Sequence, residues 1–529
     1  MRSKPFLFLF IVFGTIVNAQ DLKEFSEINV IPPSPNTAAF QKFVEIPVSL
    51  YTGTPNISVP IYEIKMKQLS LPISLQYHAS GLKVDEHASW VGAGWSLSVG
   101  GMISRTSKGF PDELNTSGKK GLFYNTRLFN TNGTVNMQVV FDPEGSEGHV
   151  FTPEDPWTTA DSVAIGALDL QPDLFVFSFP GGSGRFSFPF NTLLGNNKPI
   201  KYTDDDITIL EHPFDDLNDF PSGNFGNADY KWKIQTPDGT VYTFDLAERT
   251  QVLSVGGKTL SPYNPSFGYF QNTWQLTRIE NNGEWINFEY EQEIQHYTRN
   301  YSETKGIQIT GSINPQTSSS SYTITDVTAQ RLSAIYTSEG DRINFIANTE
   351  RLDLEGSKRL DFISIYKGGY PVKFHKLSYS YFGANDKLKL DSVIPIAGLE
   401  NDAERLNGYQ FDYFPGTIPS MGSSSQDFWG FYNGQTNSGG LIPPFKTDEY
   451  HVNRASTTSR LPDLSSTRIG AIKSISYPTG GQSIFEYELN SYFDENHMTT
   501  YKYEALAEGT SEVTKRFKVL QDCSATIIE

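Results

Sequence analysis

The sequence predicts a mainly β protein, built from successive antiparallel hairpins that form an extended or curved sheet and are joined by long loops. Apolar residues alternate with polar or small ones over Ile57 to Ile61 and over Leu69 to Tyr77, the pattern of a strand with one buried face. The 44 glycines and 30 prolines recur too often for long helices. Aromatic residues make up 13% of the chain, which supplies a large core and argues against disorder.

The negative net charge of the chain argues against polyanionic binding partners. The 529 residues include 42 Lys and Arg against 60 Asp and Glu, for a formal net charge of -18. Nucleic-acid phosphates and anionic lipids are bound by clustered Lys and Arg, and no such block occurs in the sequence. The composition therefore argues against a nucleic-acid-binding protein and against docking on anionic lipid.

The first 19 residues have the pattern of a signal peptide. Arg2 and Lys4 precede an apolar run from Phe6 to Val17, and small residues lead to a cleavage position after Ala19. The apolar run is 12 residues long, whereas a membrane-spanning helix needs about 20. No later stretch is long and apolar enough to span a bilayer. We therefore predict a secreted or cell-surface protein that does not span the membrane, and its lone Cys523 forms no disulfide within the chain.

A hairpin unit recurs along the chain. Each unit is an apolar strand, a tight turn that contains glycine, and a return strand with an aromatic residue five positions after the glycine. Glycine tolerates the positive φ of such turns, and a fixed offset places the aromatic residue on one face of the return strand. We predict structural turns at Gly239, Gly283, Gly340 and Gly480, with a further unit around Gly369.

These units resemble degenerate YD repeats of the rearrangement-hotspot (RHS) proteins, which are related to the teneurin and Tc-toxin shells. The longer segments that resemble the N-terminal region of secreted bacterial RHS proteins are Glu45–Pro55, Leu71–Gly81, Trp90–Leu97, Gln426–Gly434 and Tyr477–Gly481. The resemblance covers about residues 30 to 490 in the family's order. It implies that the hairpins build the wall of a shell.

The chain departs from the family pattern at its C-terminal end. Family members usually continue into more repeats, a core that closes the shell and a variable region that can be a toxin, whereas this sequence stops at Glu529. Self-cleavage and toxin activity are therefore not carried over. We expect a truncated gene product or one partner of a split system, whose partner is a downstream RHS-core or toxin polypeptide.

Composition divides the chain into seven segments. The boundaries fall where alternation stops or where Gly, Ser and Pro accumulate, and strand patterns resume on both sides of the long loops. The predicted segments are a signal peptide (1–19), a leader (20–40), an N-terminal β module (41–110), a polar insertion (111–170), a hairpin repeat region (171–415), a long loop with an aromatic anchor (416–470), and a final hairpin with a truncated end (471–529).

The aromatic residues of the long loop are the candidate site. Trp429, Phe431 and Tyr432 lie in a stretch rich in Gly, Ser and Asn, where flat rings could stack on a glycan. The alternative, which we favour, is an anchor that pins the loop onto the sheet, because long loops need internal packing. Similarly, we interpret Trp90 and Trp95, with Gly92 and Gly94 between them, as a packing knot, that is, a point where strands approach closely, rather than as a ligand site.

Motifs for catalysis or metal binding are not found in the sequence. His78, Asp85, Glu86 and His87 form the nearest approach to a metal cluster, but a turn between strands explains them better. Gly181 to Gly184 lacks the spacing of a nucleophile elbow. We predict no catalytic residue, no metal site and no cofactor.

Two acidic runs resemble calcium-binding loops only in their richness in aspartate. Asp204–Asp206 and Asp215–Asp219 could supply oxygen ligands, but the spacing of a calcium loop is not met, and solvated acidic loops are the better interpretation.

Two classes of function remain open, with a third behind them. The first is a non-enzymatic structural part of an exported RHS-type shell or surface protein, associated with a toxin or secretion system. The second is an adhesin-like module that binds a cell-surface glycan or protein through loop aromatics. A glycoside hydrolase is third, because its paired carboxylates cannot be chosen without their separation in space.

Overall fold

The computed structural model describes residues 34–36, 55, 57–108, 111–114, 121–124, 138–140, 149–151, 171–189, 198–202, 206–214, 231–255, 270–306, 317–383, 386–397, 404–447, 452–454 and 457–489. Antiparallel strands dominate these residues, and hairpins join them into a large sheet, which confirms the predicted fold class. The predicted signal peptide, most of the leader, Cys523 and Asp215–Asp219 lie outside the described residues.

The N-terminal module begins with a three-stranded sheet of β1 (Ile57–Lys65), β2 (Ser70–Tyr77) and β3 (Trp95–Ser98). Alternate residues of β1 and β2 are buried, as the period-two pattern predicts. A shift of register between Pro60 and Tyr62 leaves Ile61 as a bulge in the β1–β2 ladder.

The remaining elements follow in chain order. The strands before the first repeat are β4 (Met102–Thr106), β5 (Gln138–Val140), β6 (His149–Phe151), β7 (Leu174–Phe179), β8 (Gly182–Ser187), β9 (Ile200–Lys201) and β10 (Thr208–Glu211). The strands of the first repeats are β11 (Trp232–Gln235), β12 (Val241–Val255), β13 (Phe270–Asn281), β14 (Glu284–Gly306), β15 (Thr317–Thr337) and β16 (Arg342–Ile346).

The last strands are β17 (Thr349–Glu350), β18 (Lys358–Arg359), β19 (Phe362–Lys367), β20 (Tyr370–Phe382), β21 (Lys387–Ala397), β22 (Glu404–Arg405), β23 (Tyr409–Tyr413), β24 (Phe445–Thr447), β25 (Val452–Arg454), β26 (Ile472–Ser476) and β27 (Gln482–Ile484). A 3-10 helix covers Leu122–Tyr124, and a short α-helix, labelled α1, covers Leu464–Thr467.

In the described residues, the main sheet contains 18 strands, most of which pair with the next strand along the chain. From β10 to β16, each strand pairs with the next along the chain, and the path continues through β19, β20, β21, β23, β26 and β27. β4 pairs with β13 and with β7, so β4, β7, β8 and β9 form a branch of the same sheet. Consecutive pairing of this kind makes the repeat hairpins one continuous surface.

The repeat turns have the backbone conformation that glycine permits. Gly239, Gly283, Gly340 and Gly480 have φ values of 85°, 86°, 86° and 88°. At Gly283, the turn consists of two residues, because Asn281 pairs with Glu284 and Asn282 also has a positive φ of 47°. A Cβ at any of the four glycines would meet no atom within 4 Å. These positions therefore require glycine for its dihedral angles rather than for space.

The aromatic residues of the return strands have two separate roles. Five residues past the turn glycine, Phe244, Phe288 and Phe345 are buried in the core. Seven residues past it, the Tyr290 hydroxyl donates to the carbonyl of Leu276 at 2.7 Å. Equivalent bonds run from other tyrosines to the preceding strand or its approach, namely Tyr379 to Leu360, Tyr413 to Leu390 and Tyr487 to Ile472. These four tyrosines therefore connect neighbouring hairpin elements by hydrogen bonds.

The N-terminal module packs on the main sheet and shares its core. One apolar cluster contains residues of β1 to β3 together with those of the hairpins from Trp232 to Ile475. The glycines between Trp90 and Trp95 allow close approach, because a Cβ at Gly94 would lie 2.6 Å from the Tyr77 ring. The Trp95 indole N–H donates to the Tyr413 hydroxyl at 2.9 Å. This geometry agrees with the predicted packing knot.

The described parts of the two long loop regions make different contacts. In the predicted insertion (111–170), Leu114 and Phe123 are buried. The region from 416 to 470 is mostly irregular in its described parts and contains α1 and the β24–β25 pair. Within the part of the chain that the structure describes, no helix has the length and apolar character needed to cross a membrane.

Candidate functional site

The aromatic loop is organised around Asp427. One oxygen of its carboxylate accepts the backbone N–H of Trp429 at 2.8 Å and that of Phe431 at 3.0 Å, and Gly430 between them has a φ of 91°. Burial raises the pKa of the Asp427 carboxyl above its ordinary value, while these N–H donors act in the opposite direction. Asp427 thus fixes the turn that presents both aromatic rings.

Phe431 contacts the N-terminal module. A Cβ at Gly81 would lie 3.3 Å from the Phe431 ring, and the Lys83 ammonium lies 5.6 Å from the centre of that ring. The backbone supports this contact, because the Val84 N–H donates to the carbonyl of Gly430 at 2.8 Å. The loop is therefore docked on the turn that follows β2.

Trp429 lies on the solvent side of the loop. Its side chain is 37% exposed, and Phe428 beside it is 43% exposed. The Arg460 guanidinium lies 5.4 Å from the centre of the Phe428 ring. Tyr432 is half-buried, and its carbonyl accepts a hydrogen bond from the Thr467 hydroxyl at 3.1 Å. The three candidate residues therefore differ: Phe431 makes the anchoring contact, whereas Trp429 presents an apolar surface to solvent.

Polar side chains hold this loop in place. The Asp85 carboxylate accepts the Gly422 N–H at 2.7 Å and the Gln426 side-chain amide at 3.1 Å. The side-chain amides of Asn433 and Asn437 both donate to the carbonyl of Ser459, at 2.7 and 2.9 Å. These asparagines are almost fully buried. Hydrogen bonds order the loop, in addition to the apolar packing that the sequence predicts.

The histidine and acid cluster between His78 and His87 does not converge on one point. His78 bonds the Ser80 hydroxyl at 2.7 Å, Asp85 points to the aromatic loop, and His87 packs edge-on against Tyr297. In the described ranges, no three His, Cys, Asp or Glu side chains are arranged to hold a metal ion. Pro180 and Gly181 form the turn of the β7–β8 hairpin, and Gly182 begins β8.

A buried charge cluster that the sequence analysis missed lies beside β4. The guanidinium of Arg105 forms ion pairs with Glu113 and Asp173, and all three side chains are almost fully buried. Asp112 exchanges backbone N–H bonds with Asp173, at 3.0 and 3.1 Å. Burial raises the pKa of Asp112 well above its ordinary value, and the neighbouring Asp173 adds to this shift. The cluster docks residues 111–114 onto the sheet.

A cleft of about 580 Å³ opens where β21 and β23 separate. These strands pair directly only at Ser392 and Val393, and the Tyr413 hydroxyl bridges the gap to the carbonyl of Leu390 at 2.6 Å. The Lys389 ammonium lies 3.2 Å from the Asp391 carboxylate and over the ring of Phe382 at 5.7 Å. The lysine in this cleft is therefore already paired with an acid and an aromatic ring.

Comparison with known proteins does not assign the chain to a family. No protein-family model and no curated protein matches the chain. Among solved structures, the crystal structure of TcdB2-TccC3-TEV matches 69% of this chain with 13% sequence identity and a TM-score of 0.28. The match covers 16% of that chain. A likeness of this size leaves function to be argued from the residues themselves.

Proposed function

We propose that the chain is a non-enzymatic structural protein, the N-terminal part of an exported hairpin shell of the RHS type. One observation carries the proposal: repeat hairpins with the same turn glycine and the same aromatic offset pair in sequence into one continuous sheet. A single hairpin is marginal in water, so such units gain stability by stacking on their neighbours. The N-terminal sheet covers part of this surface and shares its core.

The partner in this proposal is a downstream RHS-core or toxin polypeptide. The test is co-expression of this chain with the polypeptide encoded immediately after it, followed by size-exclusion chromatography. Co-elution as one complex supports the shell. The proposal is contradicted when the two polypeptides elute separately while each is folded by circular dichroism.

Export is the second part of the proposal. Removal of residues 1–19, or a charge placed within Phe8 to Ile16, should leave the protein in the cytoplasm, because a signal peptide needs an uninterrupted apolar run. Cell fractionation gives the answer. A substitution of Lys4 by Arg keeps the basic start and serves as the matched control. Finding the charged variant outside the inner membrane would contradict the proposed signal.

The adhesin-like alternative has one observation in its favour. The exposed fractions of Trp429 and Phe428 leave ring surface for a glycan or a protein partner. Substituting Trp429 by Ala should then abolish binding on a glycan array or to host-cell surfaces and leave the melting temperature nearly unchanged. A Phe431→Ala variant, which removes the ring docked near Gly81, should lower the melting temperature instead. Unchanged binding by the Trp429 variant removes this alternative.

A further inference from the structure

The N-terminal module (residues 57–98) is held to the hairpin sheet along a seam that contains buried cations. The Lys387 ammonium donates to the carbonyl of Val84 at 3.0 Å and to that of Glu86. The Arg351 guanidinium donates to the carbonyl of Ala88 at 3.0 Å. Both side chains come from the hairpin sheet or its connections, and both are at most 5% exposed. The seam therefore contains two buried cations, of which Arg351 is ion-paired with Asp353.

His375 lies on β20 and faces this seam. It is 4% exposed, and neither of its ring nitrogens makes a hydrogen bond of ordinary geometry within the described part of the chain. The backbone of Ile61, the bulge residue of β1, acts on the ring from the module side. Burial, together with the Lys373 ammonium, lowers the pKa of His375 to about 4. Unpaired buried nitrogens of this kind call for a physical explanation.

His87 lies on the module side of the same seam. Its ring meets Tyr297 edge-on at 4.8 Å, and its Nε2 lies 3.3 Å from the carbonyl of Thr298, which favours a proton on that nitrogen. Burial lowers the pKa of His87 to about 4, and Lys387 and Arg351 act in the same direction. Thr298 and the Asp353 carboxylate oppose this shift.

The carboxylate that raises the pKa of His87, that of Asp353, already accepts hydrogen bonds from other groups. Asp353 accepts a hydrogen bond from the Arg351 guanidinium at 2.8 Å and another from the Leu388 N–H at 2.9 Å. For His375, the charged group that acts on the ring is a cation, Lys373. A proton added to either imidazole in the docked state therefore meets at least one cation, namely Lys387 and Arg351 at His87 and Lys373 at His375.

We propose that this seam is an acid-sensitive latch, in which protonation of His375 and His87 releases the N-terminal module from the hairpin sheet. In the docked state both rings stay neutral to about pH 4, whereas a released, solvated ring takes up a proton near pH 6.5. Acidification below pH 6.5 thus favours the released state. Each histidine contributes about tenfold per pH unit, or about 30-fold between pH 6.5 and 5.

Hydrogen–deuterium exchange on the full chain tests the latch. We expect the protection of amides in β1 and β2, corrected for the intrinsic exchange rate at each pH, to fall about 1,000-fold between pH 7.4 and pH 5.0, the product of the two 30-fold contributions. Amides of the β11–β12 hairpin are the internal reference, because they lie away from both histidines in sequence and pairing. Equal loss at both places, or no loss in β1 and β2, overturns the proposal.

Histidine variants distinguish a pH effect caused by His375 and His87 from a general loss of stability in acid. His375→Phe and His87→Phe should each remove about 30-fold of the pH effect, and the double variant should remove nearly all of it. His296, whose side chain is 49% exposed, provides the control, because His296→Gln should leave the effect unchanged. A full pH effect in the double variant contradicts the latch.

Direct titration keeps the proposal testable when a variant does not fold. NMR of the wild-type chain with carbon-13-labelled histidine should show two rings that remain neutral down to the pH at which β1 loses protection. If all eight histidines titrate near pH 6.5 in the folded protein, the latch is wrong.

Discussion

At the scale of single residues, the molecule buries more acid than base beside β4. Three carboxylic acids, Asp112, Glu113 and Asp173, surround the one guanidinium of Arg105, and water is excluded from all four groups. Burial of two uncompensated charges is expensive, so a proton retained on Asp112 is the favourable arrangement. The charges of this cluster make stability depend on pH.

Replacing Asp112 with Asn should stabilise the protein increasingly as pH rises. The pKa of Asp112 is raised in the folded chain, so its contribution to stability is complete below the unfolded pKa and is lost as pH rises through the folded pKa. Asn remains neutral and avoids this loss. Melting temperatures at pH 5 and pH 8 should differ less for Asp112→Asn than for the wild type. The exposed Glu350→Gln variant should change neither value, and a parallel shift at both pH values contradicts the prediction.

Replacing Gly283 with Val should lower the free energy of unfolding by about 1 to 3 kcal/mol. A β-branched residue is strained at a φ of 86°, and the open surroundings rule out a steric cause. Urea denaturation provides the measurement. Asn282→Gly, at the neighbouring turn position with a φ of 47°, should be neutral or stabilising. Equal losses from both substitutions would mean that backbone strain is not the reason.

At the scale of the element, the hairpins at Gly283 and Gly480 each combine a turn that needs glycine with a tyrosine whose hydroxyl bonds the preceding strand. Burial raises the pKa of Tyr487 to about 12, so its hydroxyl remains a donor to the carbonyl of Ile472 throughout the neutral range. The pKa of Tyr290 is also raised by burial. The Tyr487 bond satisfies the carbonyl of Ile472 at the start of β26, and the Tyr290 bond satisfies that of Leu276 within β13, because buried backbone groups need partners.

Substituting Tyr290 by Phe should cost about 1 to 2 kcal/mol, because the ring stays in place and the Leu276 carbonyl loses its hydroxyl donor. Tyr487→Phe should have a similar effect. The two costs should add in the double variant, because the residues lie in different hairpins. Tyr370→Phe, at a side chain that is 78% exposed, is the matched control. Chemical denaturation that gives the Tyr290 and Tyr370 variants the same stability would count against this role.

At the scale of the whole molecule, the N-terminal module and the hairpin sheet share one apolar cluster. Leu75 of β2 and Phe411 of β23 belong to it, although more than 300 residues separate them. Trp95 of β3, which pairs with Tyr77 of β2, joins the two parts, because its ring centre lies 4.6 Å from that of Phe411. Two parts that share a core are expected to unfold together at neutral pH.

Calorimetry at neutral pH should therefore show one transition for both parts. Leu75→Ala removes a fully buried side chain and should lower the stability of that transition by about 2 to 5 kcal/mol. Ile294→Ala, at a side chain that is 62% exposed, should have little effect. Two transitions, with only the smaller one shifted by Leu75→Ala, would show that the module folds independently.

The candidate site could be predicted only in part. The sequence indicated a loop with aromatic residues, and the structure divides them into the docked Phe431 and the exposed Trp429. No local pattern separates these two residues, because both lie beside the same turn. Their difference arises from Gly81, which is about 350 residues earlier in the chain and leaves room for one ring.

The sequence by itself determined the local structure of this protein, namely its strands and hairpins. Period-two alternation predicts strands, and glycine followed by an aromatic residue at a fixed offset predicts hairpins, because both depend on neighbours within a few residues. Only the tertiary structure decided which polar groups are buried. Asp112, His87 and His375 look ordinary in the sequence, and their properties come from long-range packing that excludes water. Burial depends on contacts between distant segments, which local patterns do not encode.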